Sequence, residues 1–425
     1  MDVFTRLRRR SAVGPRGVAL VSLLCVFAGL PAGAVQGPAP NPWLPTVGFS
    51  EDGVLVEWGE RAALSFGGLF QGDWGYIEKN AFATPEGWDG QVRRARLDVD
   101  GLIADYFLFR FEYDVSFTRN RLAEPDVDYK DIYIGVQNLG PLGTLRVGNM
   151  KQPYSLQHLT YAGDRVFMEE ANSTVFTPGR SFGVMLNHHL FDQRMTWAVG
   201  GFQEVTDDSS FFGNKGDWDV ALRLTGLPYY REEGRKLIHF GMAYVHSFRD
   251  DDATETYRQR PEANLADSLP TTGPFPTNGQ DTFGTELAAN YGPFQFQLET
   301  SMVWQNRRGE ETTHTKSAYL QTGVFLTGEH RPYDAEKGIF TRVRPKNPVA
   351  FSGGGWGAWQ LSLRASYMDI NTNVGSDDPR AETYGEFGVA LNWYLRSSVR
   401  LDTNYLYLTG HGGSSLFMMR AQIEF

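Results

Sequence analysis

From Phe107 to Phe117 every odd position is aromatic or valine, while Arg110, Glu112, Asp114 and Ser116 occupy even positions. A period of two sends successive side chains to opposite faces of an extended strand. One face of this segment therefore requires hydrocarbon and the other water. The alternation recurs as Ala95, Leu97 and Val99 against Arg94, Arg96, Asp98 and Asp100, and as Trp218, Val220, Leu222 and Leu224 against Asp219, Arg223 and Thr225. It returns at Phe294, Phe296 and Leu298 against Gln295, Gln297 and Glu299, and closes the chain with Met419, Ala421, Ile423 and Phe425 against Arg420, Gln422 and Glu424. Segments of this kind predict strands near 61–76, 91–103, 106–118, 127–137, 143–150, 181–190, 194–204, 216–227, 236–248, 281–291, 293–305, 314–327, 355–370, 384–394, 397–409 and 415–425.

Sixteen such strands fit an all-β fold, a sixteen-stranded antiparallel transmembrane β-barrel. An open strand edge in lipid would leave backbone N–H and C=O groups without partners, so the ring has to close. Strands of ten or more residues with aromatics at both ends suit a lipid-facing band with interfacial girdles better than a soluble sandwich or propeller. Phe425, ending an alternating strand, resembles the C-terminal signature of bacterial outer-membrane barrels, which makes that membrane the expected location and its lipid an expected partner.

The connectors give the orientation. Turns after strands two, six, ten and fourteen are short, as at Ile103-Ala104-Asp105 and Gly292-Pro293, and several of the opposite ones are long, which is the pattern of short periplasmic turns and longer outer loops. Two connectors exceed what closure needs: the third outer loop, about 151–180, and the periplasmic connection between strands twelve and thirteen, about 328–354. Both are candidates for function.

Ahead of the barrel stand Arg6, Arg8, Arg9, Arg10 and Arg16, an apolar stretch over 18–30, and Ala32-Gly33-Ala34. This predicts a signal peptide at 1–34, an N-terminal periplasmic segment at 35–60 and the barrel at 61–425. No later window holds the roughly 18 to 20 apolar residues of a transmembrane helix. The one cysteine, Cys25, lies in the signal behind the bulky Leu24, so lipid attachment is disfavoured and the mature chain is expected to lack disulfides, thiolate metal sites and thiol nucleophiles. The formal charge of −10 becomes −14 once five arginines and Asp2 leave with the signal, which argues against nucleic acid as a partner. No phosphate-binding loop, H-E-x-x-H or G-x-S-x-G is present, and the adjacent His188 and His189 would point to opposite faces of a strand. The expectation is a chain without enzymatic activity, metal or cofactor, set against a rival reading as an outer-membrane enzyme and another as a plugged structural barrel.

The third outer loop begins Gly148-Asn149-Met150-Lys151-Gln152-Pro153-Tyr154-Ser155-Leu156, continues through Phe167-Met168-Glu169-Glu170-Ala171 and ends Phe176-Thr177-Pro178-Gly179-Arg180. With Arg93-Arg94-Ala95-Arg96-Leu97, Leu326-Thr327-Gly328-Glu329-His330-Arg331-Pro332-Tyr333, Gly355-Trp356-Gly357-Ala358-Trp359 and Leu391-Asn392-Trp393-Tyr394-Leu395, the chain resembles the phosphate-selective porin O and P family along most of its length. The resemblance implies a homotrimer of sixteen-stranded barrels with an inward-folded third loop, an anion path of basic residues, and an inward periplasmic segment carrying lysines. Phosphate or polyphosphate is then the implied solute, the alternative being a general diffusion porin with weak or different selectivity.

An anion entering a narrow pore needs its lost hydration replaced, and guanidinium N–H groups do this while a basic potential concentrates the ion. The candidates are Arg94, Arg96 and Arg110 on the lumen parity of their strands, Lys151, Arg165 and Arg180 on the third loop, and Arg331, Lys337, Arg342, Arg344 and Lys346 on the long periplasmic connector. Arg93 falls on the other parity and ranks below them. In Gly67-Gly68-Leu69, the inward Leu69 stands where the family leads one to expect a basic residue, so one rung of the path is missing.

Overall fold

The computed structural model describes residues 45–50, 53–59, 61–78, 86–116, 126–203, 217–250, 253–257, 260–266, 274–309, 312–350, 353–370, 383–409 and 413–425. The predicted signal at 1–34 lies outside them. The barrel strands are β1 (Ala62–Ile77), β2 (Gly87–Ile103), β3 (Phe107–Ser116), β4 (Asp126–Val136), β5 (Thr144–Lys151), β6 (Arg180–Leu190), β7 (Met195–Gln203) and β8 (Trp218–Arg231). They continue as β9 (Lys236–Phe248), β10 (Phe275–Tyr291), β11 (Phe294–Arg307), β12 (Thr313–Phe325), β13 (Ala358–Asp369), β14 (Thr383–Tyr394), β15 (Val399–Thr409) and β16 (Ser414–Glu424). Each pairs antiparallel with its neighbours in sequence, and β16 returns to β1 from Leu416 opposite Ile77 to Glu424 opposite Leu69. The ring is closed, with all sixteen predicted strands in place.

The two faces separate as the alternation requires. On β3, Phe107 and Phe111 are exposed on the outside while Glu112 and Asp114 are buried inside, and on β2 Leu97 faces out between the buried Arg96 and the half-buried Asp98 on the inner face. The exposed aromatic and aliphatic side chains are those a lipid phase would cover. The short turns also stand where expected, at 104–106, 191–194, 292–293 and 395–398, and those after β4 and β8 span only 137–143 and 232–235. Ahead of the barrel, within the segment expected at 35–60, a hairpin of Thr46–Ser50 and Gly53–Trp58 pairs with the first residues of β1, from Trp58 opposite Ala62 to Val54 opposite Phe66. It continues the wall beyond Phe425, whose N–H and C=O both bond to Gly68.

Of the four register shifts among the described strands, two lie beside candidate residues and override simple parity there. Gln71 pairs with Arg94 but Gly72 with Val92, so Arg93 is an extra residue in β2. A bulge kinks the strand and re-aims the side chains around it. Arg93 accordingly reaches the lumen, where its Nε and Nη2 donate to Glu169 at 2.9 and 3.0 Å. Its lower rank on parity grounds is corrected by this bulge. A second shift, between Phe111 opposite Ile132 and Tyr113 opposite Tyr129, inserts a residue in β4 beside Asp131 and Lys130.

Candidate functional site

The third outer loop turns inward immediately after Lys151. Ser155 adopts φ 66° and accepts a hydrogen bond from the His158 N–H, capping the one-turn helix Leu156–Leu159. Its hydroxyl also donates to Glu299 on β11 at 2.7 Å. The loop then follows the inner wall toward β16. Ser317 donates to the Ser173 carbonyl, Asn392 to Val166, Arg400 to Gly163 and Arg165, Gln422 to Gly163 and Arg420 to Met168. Two wall glycines make room for its rings: a Cβ at Gly284 would sit 2.7 Å from the Tyr154 ring, and one at Gly388 2.6 Å from Phe167.

The strongest lock is Glu169. Its carboxylate receives Arg93, Arg94 (3.3 Å) and Arg420 (2.7 Å), and Arg420 also bonds Asp73. Burial alone would raise the Glu169 pKa, but the three guanidinium groups hold it well below the usual carboxylate range. Glu170 is also held well below that range, Arg165 and His158 outweighing its burial. Burial lowers His158, so this ring adds no fixed cation at neutral pH.

A second outer loop, between β9 and β10, also enters the lumen, which the sequence reading did not anticipate. Glu262 is buried there, accepts from Arg364 at 2.7 Å and from the Asn172 N–H, and its own N–H donates to Glu386. Ala263, Leu265 and Ala266 join Phe167, Met168 and Phe176 of the third loop in one apolar cluster against the wall. The strand alternation carries no signal for this loop, although its apolar residues within a polar connector are one in retrospect.

The long periplasmic connector folds inward as well. Its hairpin of Tyr333–Asp334 and Ile339–Phe340 reaches β8 to β10: Tyr333 contacts His239 at 2.7 Å, Gly338 C=O accepts from Arg223 at 3.0 Å, and Arg331 C=O accepts from Asn290. Tyr333 and Phe340 pack against Leu156 of the third loop, so the two inward segments meet. Together the inserts fill the lumen beside β9–β16.

A cavity of about 330 Å³ remains along β1–β8 and the end of β16. The candidates Arg110, Lys151, Arg180, Lys337 and Arg342 line it. Arg110 bonds Asp100 and Glu112 at 2.8 and 2.9 Å, Arg180 bonds Asp131 at 2.6 Å, Lys337 lies 3.6 Å from Asp334, and Arg342 is paired with Glu424. Lys151 is different, because its ammonium donates to the His158 carbonyl and has no carboxylate partner among the described residues.

The remaining candidates stand off the cavity. Arg94 bonds Gln71 and Glu169, Arg96 bonds Glu112 and Asp114, and Arg165 is held by Glu170. Arg331 is buried against Gln297 and stacks 3.9 Å from the Phe340 ring centroid. Burial lowers its pKa to about 10, so it remains protonated at neutral pH. Arg344 and Lys346 are exposed at the periplasmic rim, with Lys346 donating to the Gly328 carbonyl at 2.6 Å.

Arg146 was missed. It faces the cavity from β5 with its guanidinium 5.3 Å from the Tyr133 ring centroid, its Nε lacks a hydrogen-bond partner, and no carboxylate pairs with it among the described residues. It shares parity with Gly148 and Met150, so the alternation of β5 was the available signal. Leu69 is buried on the inner face as its parity predicted.

A closed antiparallel barrel with an exposed apolar band outside, a polar lumen and inward loops has the architecture of an outer-membrane channel. The chain belongs to the phosphate-selective porin O and P family, whose sequence model matches residues 65–415. It is 31% identical over 348 residues to an uncharacterized protein of Caulobacter vibrioides, a match covering 78% of this chain; the chain spans 65% of the length of that curated relative. Among solved structures, the anion-selective porin from Comamonas acidovorans is similar at TM-score 0.54 and 11% identity, with 86% of this chain and all of that one covered. OmpT of Vibrio cholerae, in a trimer form, is similar at TM-score 0.51 and 9% identity, with 86% and 100% covered. At these identities the likeness is one of fold.

Proposed function

We propose that this barrel is a passive channel for small hydrophilic anions, with phosphate or polyphosphate among its solutes. The observation that carries the reading is the imbalance of pairing in the cavity. Among the described residues, every other arginine or lysine lining it is engaged by a carboxylate, whereas Arg146 and Lys151 are not. These two donors are available to replace water around a passing anion. Among the lining acids, Asp164 is pushed up by burial, against the pull of Arg342, and so opposes the cations less than an ordinary carboxylate.

A homotrimer is part of this proposal, supported by family membership and by the trimer form of the similar OmpT. A general diffusion porin is the second reading, favoured by one specific observation: the described lining holds eight acidic residues against seven arginines and lysines, close to balance. Titrating phosphate into chloride solution on both sides of a planar bilayer tests the choice. Block of the chloride current at low phosphate supports a phosphate site, and unaltered current at high phosphate assigns the channel to the general class.

A further inference from the structure

The strand parity that makes the barrel's inner face polar does not govern the inserted segments, and these bring apolar atoms to the cavity. Leu159 and Tyr161 of the third loop and Ile339 of the inward hairpin line it in half-buried positions, as does Tyr133 of β4. Arg146 and Lys151, which no carboxylate pairs among the described residues, line the same space. A hydrated inorganic anion gains nothing from such walls, whereas an ion with an anionic head and a hydrocarbon body gains from both. The volume, about 330 Å³, falls at the small end of ligand sites, which run from roughly 300 to 1,000 Å³.

We propose that this cavity is a subsite for small organic anions, a single carboxylate or sulfonate on an aryl or short alkyl body. The head group is held by Arg146 or Lys151, and the body lies against Leu159, Tyr161 and Ile339. This rests on the anion-channel reading and narrows it. Such a solute competes with chloride for the cations but remains longer, because its body leaves water at the apolar wall.

The test uses the full-length channel in planar bilayers, with benzenesulfonate, methanesulfonate and inorganic phosphate as blockers of chloride current. The two sulfonates carry the same permanent charge and differ in the body. Benzenesulfonate is expected to half-block at a concentration about ten-fold below methanesulfonate, the scale set by removing part of one aryl face from water, and also below phosphate. Ile339→Ser should narrow the gap between the sulfonates and Ile339→Val should keep it. Equal half-block by the two sulfonates, or phosphate acting at lower concentration than benzenesulfonate, overturns the subsite while leaving an anion channel. Cation selectivity in a potassium chloride gradient overturns both.

Discussion

Replacing Arg146 and Lys151 together by glutamine removes the two lining cations that form no ion pair among the described residues. At contact distance a unit charge is worth about 1 kcal/mol to a passing ion with water-like screening and about 4 kcal/mol at the screening typical near a protein surface. A lumen walled on one side and wet within lies between these limits. Taking ~1–2 kcal/mol per cation, each loss should lower anion occupancy about 5- to 30-fold. Neither side chain sits in an ion pair among the described residues, so the barrel should assemble normally, with Lys151 giving up only its bond to the His158 carbonyl. The zero-current potential under a potassium chloride gradient reads the outcome. The double variant should move it strongly toward the potassium equilibrium value, each single variant should move it part of the way, and Arg146→Lys should stay near the parent. An unchanged potential in the double variant would remove both residues from the path and leave the carboxylate-paired cations of the lining, Arg110, Arg180, Arg223, Lys337 and Arg342, to carry it.

Three other outcomes follow from the geometry. Phe111→Arg places a charge on the lipid face of β3, where a cation near mid-membrane costs ~2–4 kcal/mol; the heat-modifiable gel shift of the folded barrel should diminish, and normal assembly would mean that the assignment of faces is inverted. Glu169→Gln leaves Arg93, Arg94 and Arg420 without their shared carboxylate, a loss on the order of 3–5 kcal/mol for a buried pair. The barrel should still form because wall donors grip the third loop through its carbonyls, but single-channel recordings should show added current noise. The depressed pKa values of Glu169 and Glu170 mean that their stabilisation is present above the ordinary glutamate value of about 4.3 and is lost as pH falls through the lower folded values. Noise should therefore stay flat from pH 8 to 5 and rise only in stronger acid, whereas an inflection near pH 6 to 7 would implicate a histidine instead.

The barrel was legible because lipid outside and water inside impose one rule on every strand, and alternation such as that of Phe107 to Phe117 records it directly. The rule failed locally at Arg93, where one inserted residue re-aims a side chain that a count of two sends to lipid. Inserts obey no period. The lengths of the third loop and of the long periplasmic connector singled them out, but not the course they take along the wall, and the entry of Glu262 left no periodic trace. The lumen arginines were legible as lumen residues. Which of them are neutralised was not, because the partners come from distant elements: Glu169 binds Arg93 and Arg94 on β2 and Arg420 on β16. Arg146 lay within reach of the parity argument, on a strand whose alternation is brief.

The most direct test of the anion-channel account is the zero-current potential of the purified full-length protein in a planar bilayer under a ten-fold potassium chloride gradient. The account expects a potential displaced toward the chloride equilibrium value, and a potential displaced toward the potassium value would contradict it.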